Sequence, residues 1–428
     1  MDALTISVFA VFFGLVFLGV PIAYSLVLGS VIPMLIYVPG FNMIAVVQKL
    51  FVGVDLFSFM AIPLFIFCGS LLEKSGVSRR LCTFVTSLVG WMHGGVAIVT
   101  FVSCMFFGAI SGSATATVLG IGSVMVPIML EQGYEEKFTL ACIAIGGILG
   151  SIIPPSIPMV VYGMNAGADI GAIFMGGVVP GVILTAFFSL YAYFYGRKHV
   201  QNRIKFVLKD VLREFASAIW GLMMPLIILG GIYGGFFTPT EAAAIASVYG
   251  IFVGFVIYRE LNMKKFYACL KESVVSSAMI MFIIAAASAY GYVMTRQQVP
   301  TKLAELIMSV SSGYASFMLM VIVLLLVMGC FMETCASILV VTPMLLPIVK
   351  ALNIDLVQFG VIMVVTLAIG FVTPPMGLNL FVSARLTNTS VNTVINKHLM
   401  ILILIALLTT LLITFVPGII LWLPNMLK

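Results

Sequence analysis

GAISGSATAT (Gly108–Thr117) interrupts an otherwise apolar stretch with glycine, serine and threonine, and it decides the fold of this chain. About 220 residues later, the same place in the hydrophobic pattern holds GCFMETCAS (Gly329–Ser337). Each run precedes a proline-broken segment, GSIIPPSIP (Gly150–Pro158) and GFVTPPMGLN (Gly370–Asn379). Bilayer core tolerates broken helices and small polar residues only where they line a cavity or are covered by protein. The paired interruptions therefore predict a transporter-type binding site near the middle of the membrane.

The composition places most of the chain in lipid. Of its 428 residues, 62% are hydrophobic and only 8% are charged, whereas soluble domains carry about 25% charged residues. The first apolar stretch, Leu4–Leu18, lacks a basic region and a cleavage-like site, which predicts a retained span. Membrane topology explains the net charge of +6, so no nucleic-acid partner is expected. The seven cysteines form no C-x-x-C pair and no catalytic constellation is visible, so we expect a protein that is not an enzyme.

Apolar stretches of about 20 residues predict an all-α polytopic membrane protein. Spans are expected at 4–20, 22–38, 55–73, 138–163, 173–196, 219–237, 242–258, 274–295, 356–385 and 399–423. Two further apolar pairs are short and split by the polar runs, which predicts re-entrant hairpins over 95–130 and 315–350. The Pro-Pro segments make 138–163 and 356–385 broken helices.

Basic residues set the predicted orientation. Loops near 74–80, 197–216 and 259–271 hold most of the lysines and arginines. The loops on the opposite side contain few basic residues, among them Lys49, Arg296, Lys302 and Lys350. The positive-inside rule makes the first set cytoplasmic, and it leaves both termini facing the periplasm or the exterior.

The span count divides the chain into two repeats. Residues 1–196 and 219–428 each contain an odd number of crossings, so the second repeat is expected to be inverted relative to the first. Residues 197–218 join them, and their apolar positions recur at helical spacing opposite basic ones, which predicts an amphipathic interfacial arm. Segments 40–54 and 259–273 have a similar pattern.

The Pro-Pro turns have the chemistry of a cation site. Proline frees the carbonyl four residues earlier and unwinds the residue before it. Carbonyls beside hydroxyls are oxygen ligands for a small cation, and two or more Na⁺ ions are expected. The predicted sodium ligands are Ser103, Ser111, Gly112, Ser113, Thr115, Gly150, Ile153, Ser156, Gly329, Gly370, Thr373 and Met376. The alternative is that Pro154 and Pro374 kink the helices for packing alone.

Helices that begin at the hairpin tips would point their N-terminal ends at the site, where they can bind a carboxylate without a formal charge. The predicted substrate-binding residues are Ala114, Thr115, Pro155, Thr334, Cys335, Pro375, Gly377, Asn379 and Arg385. Arg385 either meets the carboxylate or extends to the cytoplasmic interface. Glu333 is the one acid deep in the apolar sequence; it orients the second tip, aids cation binding or carries a proton.

Four segments resemble the large membrane subunit of tripartite ATP-independent periplasmic (TRAP) transporters. They are FFGAISGSATATVLGIGSVMVPIM (Phe106–Met129), GILGSIIPPSIPMVVYG (Gly147–Gly163), GGIYGGFFTPTEAAA (Gly230–Ala244) and IGFVTPPMGLNLFV (Ile369–Val382). The sequence departs from the family where the first tip lacks a proline that many relatives carry. It also departs at Arg385, which replaces a small or apolar residue.

The resemblance implies a Na⁺-coupled secondary active importer in which a transport domain moves as an elevator inside a scaffold. It also implies two partners, a small four-helix membrane subunit and a periplasmic solute-binding protein. The solute would be an organic acid, and a faint likeness to the sialic-acid branch favours sialic acid over C4-dicarboxylates and other organic or sugar acids. A stand-alone Na⁺/dicarboxylate symporter of the inverted-repeat type is the alternative function.

Overall fold

The computed structural model describes residues 3–199, 206–302, 305 and 313–426, and every regular element among them is helical. Nine of the described helices are long and apolar enough to cross a membrane, or ten if a bent helix pair at Glu136–Ile152 and Ile157–Ala166 counts as one span. The predicted all-α polytopic membrane class is confirmed.

Eleven helices precede residue 200. They are Ala3–Phe17, Ile22–Tyr37, Met43–Val52, Ala61–Lys74 with a 3-10 turn at Phe57–Met60 before it, Val77–Val89, Gly95–Ser111, Ala114–Glu131, Glu136–Gly146, Leu149–Ile152, Ile157–Ala166 and Ile170–His199. The described helices that follow are Leu208–Tyr233, Pro239–Phe252 with a π-helical turn at Val253–Ile257, Met263–Arg296, Tyr314–Phe331, Thr334–Ala351, Leu356–Gly370, Leu378–Arg385, Val391–Val394, Lys397–Phe415 and Gly418–Met426.

Two helical hairpins occupy the predicted positions along the chain. The first hairpin joins Gly95–Ser111 to Ala114–Glu131, and the second joins Tyr314–Phe331 to Thr334–Ala351. Only two residues separate the arms of each hairpin, and we call these pairs the first tip (Gly112 and Ser113) and the second tip (Met332 and Glu333).

The two Pro-Pro segments break helices in corresponding ways. The first broken helix ends at Ile152 and resumes at Ile157, whereas the second ends at Gly370 and resumes at Leu378. In both gaps the bond between the two prolines is cis. Ile153 is extended at φ −77° and ψ 128°, which is the conformation that a following proline favours.

Side chains of each broken helix donate hydrogen bonds to main-chain carbonyls of the other. Asn379 donates from Nδ2 to the Ala144 carbonyl at 3.3 Å, and the Ser383 hydroxyl donates to Leu140 O at 3.0 Å. At the other end, the Tyr162 hydroxyl donates to Leu356 O at 2.8 Å. The broken helices of the two repeats therefore form one packed unit.

The longest described helix, Met263–Arg296, lies outside this unit and is called the long helix below. It packs against Ile22–Tyr37, Met43–Val52 and Ala61–Lys74. The long helix also includes residues 263–273, which the sequence pattern predicts to be part of a separate interfacial segment. Charged side chains such as Lys271 and Glu272 ended the apolar run there but did not end the helix.

Three other boundaries differ from the predicted spans. Helix Val77–Val89 was not predicted as an element, because it carries Arg79 and Arg80 and its apolar residues face one side. Helix Leu208–Tyr233 runs from the predicted linker into the next span without a break, while residues 200–205 of that linker lie outside the described residues. The last predicted span, 399–423, is interrupted at Val416 and Pro417.

Candidate functional site

The two tips meet at one small cavity. Its volume is about 100 Å³, and it is lined by residues of both hairpins, both broken helices and the long helix. The lining residues are Gly112, Ser113, Ala114, Thr115, Ser151, Ile157, Pro158, Ile280, Glu333, Thr334, Cys335, Phe371 and Leu378. We call this the central cavity. The structure therefore brings together residues that are more than 200 positions apart in the sequence.

Close backbone packing fixes the first tip against the first Pro-Pro turn. Gly112 has φ +61°, a left-handed conformation that glycine adopts without steric cost. A Cβ atom added there would lie 2.8 Å from the Pro155 carbonyl, so a larger residue has no room. The Ile157 amide donates to Gly112 O at 3.3 Å. The tip and the turn are thus held together through main-chain atoms.

Oxygen atoms crowd the first turn. The Ser111 and Thr117 hydroxyls lie 3.1 Å apart, and the Thr117 hydroxyl donates to Ser113 O at 2.8 Å. Thr117 was not among the predicted site residues, although its position one helical turn after Ser113 was a signal that could have found it. The Ser156 hydroxyl donates to Ser151 O at 2.5 Å.

The broken turns use most of the carbonyls that the prolines release. Ser151 O accepts from Ser156, Gly370 O accepts from the Thr373 amide at 3.0 Å, and Phe371 O accepts from the Asn379 amide at 3.0 Å. The fourth released carbonyl is that of Gly150, and the described residues supply no hydrogen-bond donor for it. Its carbonyl and the hydroxyls around it fit the oxygen ligand set of a small cation.

The second Pro-Pro turn is the more open of the two. The Thr373 hydroxyl donates to Ile369 O at 2.8 Å, so its lone pairs stay available to a cation. Pro375 and Met376 are exposed, in contrast to the fully buried Pro155 and Ser156 of the first turn.

Glycine pairs let the first arm of each hairpin touch the broken helix behind it. A Cβ atom on Gly108 would lie 2.8 Å from Gly150 Cα, and one on Gly370 would lie 2.5 Å from Gly329 Cα. These contacts bring each hairpin within reach of the carbonyls of its broken helix.

One buried polar group in the wall of the central cavity and one next to that wall lack a partner within the described residues. Thr334 is 1% exposed, lines the cavity and has an unpaired hydroxyl. Asn379 follows Leu378 of the wall and is fully buried; its Oδ1 atom is unpaired while its amide nitrogen bonds Ala144. Burying a polar group without a partner costs free energy, about 1–3 kcal/mol. The Thr334 hydroxyl is therefore available to a ligand or ion that enters the cavity.

Glu333 caps the second hairpin. Its Oε2 atom accepts from the Ala336 amide at 3.0 Å, at the N-terminus of Thr334–Ala351. Ser113 caps the first hairpin in the same way, accepting from Ala116 N at 3.5 Å. The helix N-termini beside these caps supply Ala114, Thr115, Thr334 and Cys335 to the cavity wall.

Seven of the predicted site residues line the cavity, and two lie well away from it. Ser103 lies eight residues before Ser111 in the same helix, about 12 Å away along its axis. Its side chain is buried beside the Cys82 thiol. Arg385 is exposed at the last residue of Leu378–Arg385, about 10 Å from the end that lines the cavity. The structure favours the interfacial alternative for Arg385.

Residues 9–419 match the family described as the tripartite ATP-independent periplasmic transporter, DctM component. The chain belongs to this family. The TRAP family membership confirms the resemblance that the four sequence segments indicated, and it makes the protein a transporter subunit that takes part in solute import and not an enzyme.

Curated TRAP relatives differ in the solute that they are named for. The chain is 43% identical to the isethionate TRAP transporter permease protein DctMQ of Oleidesulfovibrio alaskensis over 94% of its length, and it spans 63% of that relative. It is 37% identical to the C4-dicarboxylate large permease protein DctM of Rhodobacter capsulatus, with both chains fully covered. It is 33% identical to the sialic acid large permease protein SiaM of Vibrio cholerae over 96% of each chain.

A solved structure has the same fold. The crystal structure of the Alcanivorax borkumensis YdaH transporter superposes with a TM-score of 0.63 over 89% of this chain and 90% of that one. The two sequences are only 14% identical, so the similarity concerns the architecture alone.

Proposed function

We propose that this TRAP subunit is a Na⁺-coupled secondary active importer of a small organic anion. The observation that carries the proposal is the central cavity, where two helix N-termini and the unpaired Thr334 hydroxyl meet. Helix N-termini favour negative charge, and their effect is strongest in the first turn. An anionic group can therefore bind here although Glu333 is the one charged residue of the lining.

The curated relatives favour a small solute. The relatives named for isethionate and for C4-dicarboxylates are more similar in sequence than the one named for sialic acid. We therefore place a short sulfonate or dicarboxylate ahead of sialic acid, which was the expectation from sequence.

Oxygen-rich turns on either side of the cavity support sodium coupling. The first turn offers the Gly150 carbonyl with the Ser111 and Thr117 hydroxyls, and the second offers the Thr373 hydroxyl. Unwound main chain in a broken transporter helix is a common site for Na⁺. Each bound cation would also offset the charge of the solute anion.

The packing of the repeats supports an elevator movement. The hairpins and broken helices are bonded into one unit, whereas the long helix and Ala61–Lys74 lie outside it. A rigid unit that carries every lining residue of the central cavity except Ile280 can slide along these helices without coming apart.

The family name implies three components. We propose a small four-helix membrane subunit and a periplasmic solute-binding protein as partners, in a bacterial inner membrane with both termini periplasmic. The DctMQ name of one relative supports the small membrane subunit as a partner. The distribution of basic residues supports the periplasmic position of both termini.

Reconstituted transport tests the proposal. Liposomes that contain this chain and its small subunit receive solute-loaded binding protein, with Na⁺ or choline outside and the proton gradient held constant. Uptake should require Na⁺. Thr373→Ala should raise the Na⁺ concentration for half-maximal uptake, while Thr373→Ser, which keeps the hydroxyl, should not. Equal uptake in choline would exclude sodium coupling, and uptake of free solute at a comparable rate would favour the stand-alone symporter.

A further inference from the structure

One face of the long helix lines three cavities in succession. A lower cavity of about 490 Å³ is lined by Glu272, Ser273, Ser276 and Ile280 of this helix. Ile280 is the one residue of this helix that lines the central cavity. An upper cavity of about 410 Å³ is lined by Ile284, Ala287, Ser288, Gly291 and Thr295. These residues follow the three- and four-residue spacing of a single helical stripe.

The lower cavity is continuous with the solute site. Both cavities are lined by Ser113, Thr115, Ile157 and Ile280. The lower cavity also contains Lys74, from the side of the protein that the basic residues place in the cytoplasm. The upper cavity contains Lys49 and shares no lining residue with the central cavity.

Exposure along the stripe differs between its ends and its middle. Ser276 and Thr295 are exposed towards the ends, although Ser273 is buried at the lower end. Ile280 and Ser288 are half-buried, and Ile284, between the two large cavities, is 2% exposed. Ser276 and Ser288 lie about 18 Å apart along the axis. Polar side chains therefore line the ends of the stripe, while two isoleucines occupy its middle.

We infer that this stripe is the fixed wall of the solute route and that Ile280 and Ile284 form its seal. This inference rests on the proposed import function. As the unit that carries the central cavity slides, its tips pass from one polar end of the stripe to the other. The isoleucines keep the two ends from joining into a continuous water-filled path, since an ion crosses an apolar constriction poorly.

Cysteine labelling from each side of the membrane tests the wall. Ser276→Cys and Ser288→Cys are near-isosteric, and the seven native cysteines are buried, so a membrane-impermeant maleimide reports mainly on the new thiols. In intact cells and in inverted vesicles, we expect Ser276→Cys to react from the cytoplasmic side alone and Ser288→Cys from the periplasmic side alone. Reaction of both from one side, or of neither from any side, would overturn the assignment.

Flux of Na⁺ in the absence of solute tests the seal. In liposomes with a Na⁺ gradient, Ile280→Ser should raise this flux by at least about tenfold, because it removes three apolar carbons and the burial of each contributes roughly a factor of four. Ile280→Val should raise it by no more than about fourfold, since it removes one methylene group and keeps an apolar branched side chain. Met279→Ser is the matched control, because Met279 is 63% exposed and lines none of the three cavities.

The two inferences fail in different ways. If uptake proves independent of Na⁺, the proposed coupling is wrong, while the labelling pattern still decides where the wall lies. If Ile280→Ser leaks no more than Met279→Ser, the seal is wrong, whether or not uptake requires Na⁺.

Discussion

Glu333 and Ser113 are corresponding residues of the two hairpins, and each accepts a hydrogen bond from the amide three positions ahead. We expect the Glu333 side chain to act mainly as a helix cap. Glu333→Ser should keep the cap and stay within about 0.5 kcal/mol of the parent, whereas Glu333→Ala should lose about 1 kcal/mol of stability. Thermal unfolding of the purified subunit in detergent measures both variants.

Transport measured on the same two variants separates capping from charge. If capping is the main role, Glu333→Ser retains Na⁺-dependent uptake. Equal loss of uptake in the serine and alanine variants would instead mean that the negative charge itself takes part in cation binding.

The close approach of Gly370 and Gly329 leads to a second prediction. Gly370→Ala would force its Cβ to within 2.5 Å of Gly329 Cα, and backbone atoms cannot move aside as a flexible side chain can. Overpacking of this kind costs about 1–3 kcal/mol. Gly230 lies in a helix with nothing within 4 Å of an added Cβ, so Gly230→Ala is the control and should stabilise the helix by up to about 1 kcal/mol. Similar thermal stability of the two variants would contradict the importance of this contact.

At the scale of elements, the sequence located the hairpins to within about one residue at each tip. Short apolar arms on either side of small polar residues have few alternatives in a membrane. Helix Val77–Val89 was not predicted because an amphipathic helix with two arginines does not form a long apolar run. The long helix was divided at 273 for a related reason, since charge ends an apolar run without ending a helix.

A disulfide between a hairpin and its neighbour outside the unit tests movement of elements. A Cβ atom on Gly69 would lie 3.2 Å from Ser111 Cα, so Gly69→Cys with Ser111→Cys brings two thiols within bonding range. Oxidation should stop uptake and reductant should restore it, because the bridge ties the first tip to Ala61–Lys74. Comparison of the same protein before and after reduction removes any effect of the substitutions themselves.

A second cysteine pair provides the control. A Cβ atom on Gly250 would lie 3.7 Å from Leu71 Cβ, so this pair joins Pro239–Phe252 to Ala61–Lys74, both outside the moving unit. Gly250→Cys with Leu71→Cys should form a bridge that leaves uptake at its reduced level. Unchanged uptake in the oxidised Gly69 and Ser111 pair would contradict the elevator.

At the scale of the whole molecule, the assembly of the site depended on contacts that no local pattern specifies. The sequence predicted that both tips carry ligands, and the structure places both at one cavity. It did not predict that Ser103 would lie beside Cys82, and it left open whether Arg385 meets the solute or reaches the interface, because those outcomes depend on how the helices pack. The bond from Asn379 to Ala144 likewise joins residues from different repeats.

The last prediction concerns the docking of the binding protein on the periplasmic face. Arg296 and Lys350 are exposed, lie on the side that the positive-inside rule predicts to be periplasmic, and can attract an acidic rim on the partner. Charges at the rim of an interface act mainly on the rate of encounter, and salt screens them over about 8 Å at physiological ionic strength. Arg296→Glu with Lys350→Glu should therefore slow uptake most at low concentrations of loaded binding protein and low salt, and much less at saturation. Lys209→Glu with Lys264→Glu changes charge equally on the opposite face and should leave uptake unchanged. If both double variants slow uptake equally, net charge and not docking would be the cause.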